Sequence, residues 1–145
     1  MPTDTNADTP DVVLLDTSAA IAFVVPDHDR HDATLRQLRG KRLGLAGHAW
    51  FETYSVVTRL PGGRRRSPTD AVRLLTQNFP ASAFLSDAAS SELSRELSRL
   101  TIAGGAVYDA LVGAAARHHR LTLVSRDARA QSTYDALGVV VELIP

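Results

Sequence analysis

Asp16, Glu52, Asp109 and Asp127 are the residues of this chain whose type and placement point most directly to chemistry. Asp16 closes the apolar run Val12-Val13-Leu14-Leu15, and Asp127 follows Leu121-Thr122-Leu123-Val124-Ser125-Arg126. Both read as carboxylates at the C-terminal ends of buried strands, where open α/β sheets place their ligand crevices. Glu52 and Asp109 fall inside apolar helical stretches, His48 to Leu60 and Gly105 to His119. Four carboxylates meeting in one crevice would repel one another unless a cation stood between them. Oxygen donors without any Cys favour a hard ion, Mg²⁺ or Mn²⁺. Such a centre suits phosphodiester hydrolysis, as in a metal-dependent nuclease.

Each acid also has a plainer reading. A single Asp after a strand is commonly a helix cap, and both Asp127 and Asp16 could serve as one. Asp109 is harder to explain that way. Val107, Tyr108, Leu111, Val112 and Ala114 to Ala116 make its helix apolar nearly all round, so the acid is expected near the interior. Glu52 is expected to be enclosed by Trp50-Phe51 and Val56-Val57.

The elements that must position these groups follow from pattern. Val12 to Leu15 reads as a buried parallel strand. Thr17 or Ser18 can cap a short helix, Ala19 to Val25, which Pro26 ends. Asp29 to Arg39 reads as a helix stopped by Gly40, Leu43 to Ala46 as a second strand, and His48 to Leu60 as a helix broken at Pro61-Gly62-Gly63. Ser67-Pro68 opens a helix to about Asn78. A weak apolar piece, Ala83 to Leu85, is a candidate third strand. Asp87 is expected to cap a helix through Leu100, with Leu93, Leu97 and Leu100 on one face. The Ala-rich helix to His119, a strand at Leu121 to Val124, a helix from Ala128 to Leu137 and a last strand from Val139 to Leu143 complete the chain. This alternation predicts a three-layer α/β/α sandwich around a mainly parallel sheet.

With 145 residues, 44% hydrophobic and 22% charged, residues 11–145 fit one globular domain. Residues 1–10, MPTDTNADTP, read as a disordered tail without the features of a secretory signal. No apolar run approaches the roughly 20 residues of a membrane span. The absence of Cys excludes disulfides and thiolate metal sites, and the cytoplasm fits best. A formal net charge of zero argues against a generic basic nucleic-acid binder.

Taken in order, Leu14-Leu15-Asp16-Thr17-Ser18-Ala19, Phe51-Glu52-Thr53, Tyr108-Asp109-Ala110-Leu111-Val112-Gly113 and Ser125-Arg126-Asp127 resemble a PIN-domain ribonuclease, specifically a VapC-type toxin of a bacterial toxin–antitoxin pair. The resemblance covers essentially everything after Pro10. It implies that Asp16, Glu52, Asp109 and Asp127 take the family's catalytic acidic positions. Asp16, Asp109 and Asp127 would hold the metal, and Glu52 would bind a second metal or orient water. Ser18 and Ser125 would support the site, Ser125 standing where Thr is more common. It further implies Mg²⁺-dependent cleavage of selected tRNA or ribosomal RNA, a homodimer, and a cognate VapB-type antitoxin that blocks the site. The acidic tail is a departure from relatives that begin directly at the first strand.

Other residues have competing readings. Arg64-Arg65-Arg66, after Pro61-Gly62-Gly63, is either a mobile loop gripping RNA phosphates or a solvated charge run. Arg126 either binds RNA or pairs with a nearby acid. His118-His119 reads as a cationic helix end, since adjacent helical residues do not face one another. His48 reads as helix-start packing, with base stacking as its alternative. Two rivals remain: a non-catalytic binding module of the same fold, and a phosphoacceptor receiver domain. The latter needs a late Lys, and the single lysine, Lys41, comes early. On the metal reading, Asn at position 16 or 109 should abolish cleavage without destabilising the metal-free fold.

Overall fold

The computed structural model describes residues 10–145. The expected tail, but for Pro10, therefore lies outside the described residues. Strands β1 (Val12–Leu15), β2 (Arg42–Leu45), β3 (Leu123–Ser125) and β4 (Val141–Leu143) form one sheet in the order β2-β1-β3-β4. Every pairing is parallel. Among the described residues seven α-helices cover it: α1 (Thr17–Val24), α2 (His31–Gln37), α3 (Ala49–Val57), α4 (Pro68–Asn78), α5 (Asp87–Arg99), α6 (Ala106–His119) and α7 (Gln131–Ala136).

Strand alternation splits the apolar residues between two cores. Val13 and Leu15 of β1 join Leu43, Leu45 and Val124 beneath α1, α2, α4 and the end of α3. Leu14 and Leu123 point the other way, into a core of Leu93, Val112, Ala115, Tyr134 and Leu137 from α5, α6 and α7. The three-layer sandwich is as expected. Leu93 is buried there, with Leu97 and Leu100 packed beside it.

The candidate strand at Ala83 to Leu85 is not one. Only Ala83 bridges in parallel, to Ala46. The preceding residues instead run alongside β2, with the Ala81 and Ala83 amides donating to Leu43 and Leu45. Gly44 permits this approach, because a Cβ there would stand 2.3 Å from the Ala81 carbonyl. Of the caps considered, the reading of Asp16 as a cap holds, and the cap of α5 moves by one residue. Asp16, rather than Thr17 or Ser18, caps α1, and Ser86, rather than Asp87, caps α5. The helix expected from Ala128 opens as a 3-10 turn, Ala128–Ala130, before α7 begins.

The sheet order matters most for function. From β1 the chain moves outward to β2, then crosses back to β3 on the other side of β1. Connections therefore leave β1 and β3 in opposite directions. A crevice opens at such a switch point, beyond the strands' C-terminal ends.

Candidate active site

Asp16 and Asp127 flank this switch point. Asp16 is 4% exposed and almost saturated with hydrogen bonds. Its Oδ1 accepts the Ser18 hydroxyl at 2.6 Å and the Ala19 amide at 3.1 Å, and its Oδ2 accepts the Tyr134 phenol at 2.9 Å. A carboxylate offers about four lone-pair positions, so about one is left. Ser18 Oγ in turn accepts the Arg126 amide at 2.8 Å, tying the start of α1 to the turn after β3. At the end of β3 the fully buried Ser125 accepts the Asp127 amide at 3.0 Å. Asp127 Oδ1 accepts both the amide and Nε of Arg129. Both aspartates are thus helix caps, and both also line the same cavity.

Glu52 and Asp109 arrive from the first turns of α3 and α6. Together with Asp16, Thr17, Ser18, Val112, Asp127 and Tyr134 they line a cavity of about 90 Å³. Burial raises the Asp109 carboxyl above its ordinary value, and the charges of Asp127, Glu52 and Asp16 raise it further. Arg129 works against them. Burial, then the charge and hydrogen bond of Asp16, push the Tyr134 phenol far up. It therefore stays a proton donor to Asp16.

Glu52 is not enclosed as expected. The buried residues of α3 are Ala49, Thr53 and Val57, spaced four apart, which turns Phe51 and Glu52 outward. Phe51 is 57% exposed, and Glu52 lies on the rim with His48 Nε2 at 3.6 Å from its Oε1. His48 stacks on Tyr108, so it packs at the helix start as expected.

The arginine loop lies elsewhere. Helix α3 carries the chain away from Glu52 at about 1.5 Å per residue. Arg64 and Arg66 line a separate groove with Val24, Val25, Val57 and Leu60. Arg64 pairs with Asp27, and Arg65 Nε donates to the Leu60 carbonyl. Arg126 is close in backbone only, since its Nε donates to the Pro145 carbonyl at 3.3 Å and meets no acid among the described residues. His119 Nε2 lies 2.7 Å from the Phe84 carbonyl oxygen, at the end of α6.

Sequence reasoning missed Tyr134, Thr17 and Arg129. The available signal for Tyr134 was its hydroxyl, because a buried Tyr needs a partner. Gly113 makes room for that ring: a Cβ there would stand 2.9 Å from Tyr134 Cδ1.

The receiver alternative fails on geometry. Lys41 directly precedes β2, at the opposite end of the parallel sheet from the acids.

A PIN-domain model matches residues 13–136, and the chain belongs to that family. Ribonuclease VapC27 of Mycobacterium tuberculosis is 49% identical over 127 residues, 88% of this chain and 93% of that protein. Ribonuclease VapC40 of the same organism is 41% identical over 131 residues, 89% and 96% of the two chains. The crystal structure of VapBC2 from Rickettsia felis, bound to a DNA fragment from their promoter, superposes with a TM-score of 0.65. It does so at 16% identity, covering 92% of this chain and 99% of that one. The last likeness bears on the fold. Ribonucleases with PIN domains are generally metal-dependent.

Proposed function

We propose that this chain is a VapC-type endoribonuclease, the toxin of a type II toxin–antitoxin pair, acting with Mg²⁺ or Mn²⁺ in the cytoplasm. The observation that carries the reading is the convergence of Asp16, Glu52, Asp109 and Asp127 on one cavity, in a chain 49% identical to a ribonuclease. Among the described residues no helix is long and apolar enough to cross a membrane.

The site fits a divalent cation. Its donors are all oxygens, and among the described residues the buried Thr17 Oγ1 has no partner. Asp109 carries a repulsive load that a cation would relieve. Among the described residues no group of three or more His, Asp or Glu is spaced to hold a metal ion by itself, so a cation here would need water to complete its coordination. Asp16, Asp109 and Asp127 would hold it. A bound cation supplies Lewis acidity at the phosphate and makes water a better nucleophile.

The chain's own residues do the rest. Tyr134, Ser18 and the Ala19 amide hold Asp16 in one orientation. Arg129 holds the Asp127 carboxylate, and Ser125 fixes the Asp127 backbone by accepting its amide. Glu52, half-buried on the rim, would orient water or bind a second cation. Selected tRNA or ribosomal RNA is the substrate we favour, with Arg64, Arg65, Arg66 and Arg126 as outlying phosphate contacts. A cognate VapB-type antitoxin would block the cavity by inserting an Arg among the acids. Ile21 and Phe23 of α1, both partly exposed, would extend its footing, whereas Val24 is buried. A homodimer completes the proposal.

Asp109→Asn is the decisive variant, because no hydrogen bond or ion pair engages Asp109 among the described residues. Cleavage of total RNA in Mg²⁺ should fall by more than about a hundredfold, comparable to other losses around metal centres. Wild type should gain thermal stability from Mg²⁺, and the variant little. Undiminished cleavage by Asp109→Asn would refute the site.

A further inference from the structure

A cavity lined by Asp16, Glu52, Asp109 and Asp127 suits a cation, yet the same charges repel the phosphates of an incoming RNA. A divalent ion offsets only two of those four charges. A fixed positive group at the cavity mouth would let the anion approach.

The arginines named so far as phosphate contacts stand apart from the acids. Arg64 and Arg66 line another groove, and Arg126 reaches the Pro145 carbonyl. His48 lies beside Glu52 but is charged only when protonated. Arg129 is placed differently. It stands two residues beyond Asp127, and its Nε donates to Asp127 Oδ1 at 3.3 Å. The same oxygen accepts the Arg129 amide at 3.0 Å, and the next residue, Ala130, is buried. The backbone is therefore held on both sides, on the 3-10 turn Ala128–Ala130. The side chain beyond it is 93% exposed. Asp127 takes up Nε, and the terminal nitrogens of the guanidinium meet no acceptor among the described residues. The charge of Arg129 also opposes the rise of the Asp109 carboxyl, so it lies within electrostatic reach of a second acid.

An exposed ion pair adds little stability, so pairing with Asp127 is a weak reason for this arrangement. A planar fork held at Nε and open at its tips matches the free oxygens of a phosphodiester. We infer that Arg129 is a substrate-binding residue, its terminal nitrogens gripping an RNA phosphate beside the acidic cavity while Nε stays on Asp127. The inference rests on the ribonuclease reading above and adds to the four acids a cation that meets the substrate.

The test compares wild type with Arg129→Gln and Arg129→Lys, all in the full chain. Both variants keep the backbone amide that Asp127 accepts, so their melts in EDTA should match wild type within about 2 °C. Cleavage of total RNA in saturating Mg²⁺ is followed across a series of NaCl concentrations, and Mn²⁺ affinity without RNA is read by electron paramagnetic resonance. In Arg129→Gln the apparent KM should rise about three- to tenfold with kcat within about twofold of wild type, the pattern of a contact made equally before and during reaction. The fall of log kcat/KM with log salt should become shallower by about one. Mn²⁺ affinity should hold or tighten, because a repelling charge has gone. Arg129→Lys should recover the salt dependence but only part of the KM, since it lacks the fork. Unchanged KM and salt dependence in Arg129→Gln would overturn the inference and leave a solvated charge. A fall in kcat and in Mn²⁺ affinity at constant KM would overturn it as well, because Arg129 would then act only by holding Asp127. Wild type without Mg²⁺-dependent cleavage would defeat the ribonuclease reading itself, before any variant is compared.

Discussion

Helix α6 carries two charged residues with opposite fates, Asp109 in its first turn and Arg117 in its last. Arg117 forms a two-pronged pair with Glu96 of α5, at 3.0 and 2.7 Å, and also donates to the Leu137 carbonyl at 3.0 Å. Glu96 is thereby held below its ordinary carboxylate value, chiefly by the Arg117 hydrogen bond. Asp109 meets burial and three like charges, and is held above its ordinary value. One end of the helix is built as a completed ion pair, and the other leaves its charge without a partner among the described residues. A paired and an unpaired charge are thus separated along about 12 Å of helix, eight residues at about 1.5 Å each.

The largest stability effect should come from breaking the completed end. Arg117→Met strands Glu96, whose side chain is 12% exposed, with only Arg99 at 3.5 Å. A loss of roughly 1–3 kcal/mol is expected, between the values for surface and buried pairs. The melt should fall by about 2–4 °C per kcal/mol, with Mg²⁺-dependent cleavage retained at temperatures where the fold persists. An unchanged melting temperature would remove the contrast between the two ends.

A smaller effect, of opposite sign, is expected at the open end. Asp109→Asn should stabilise the metal-free protein, because it removes the charge that folding raises in energy. The pH dependence checks the sign. The native state binds a proton at Asp109 more readily than the unfolded chain, so this group's contribution falls as pH rises through the interval between its unfolded and raised folded values. Glu96 does the reverse: its contribution is present above the unfolded value and is lost as pH falls through the lowered folded value. Metal-free melts across acid pH should therefore lose the first slope in Asp109→Asn and the second in Arg117→Met. Parallel profiles for all three proteins would mean that neither carboxylate is perturbed as described. Asp16→Asn is a different case. The carboxylate caps α1 and accepts from Ser18 and Tyr134, so the expectation that its loss leaves the metal-free fold unharmed is revised to a modest destabilisation.

The smallest effect belongs to the arginine loop. Replacing Arg64, Arg65 and Arg66 by Ala should lower the melt by little, since the Arg64–Asp27 pair is about half exposed. RNA binding should weaken and its salt dependence flatten, leaving turnover at saturation intact. Wild-type binding with an unchanged salt slope would make the loop a connector only.

Much of this molecule is legible along the chain because it depends on local pattern. Val12 to Leu15 can bury both faces only as a central strand, and Ser67-Pro68 can hardly do other than start a helix. The four acids also stand out by position, at strand ends and in helices otherwise apolar. Where local signals competed, single residues were misplaced. Asp16 won the cap of α1 over Thr17 and Ser18, and Ser86 won that of α5 over Asp87, since any of these side chains can accept an amide.

What the sequence by itself determined, then, is the set of elements and the identity of the acids, through periodicity and residue type. Only the tertiary structure decided their company. Tyr134 reaches Asp16 across 118 residues of chain, and Arg117 finds Glu96 across 21. The crossing from β2 back to β3 sets Asp16 beside Asp127, while α3 carries the arginine loop away from both. Such pairings depend on packing between elements, and residue spacing within an element holds no record of its neighbours in space.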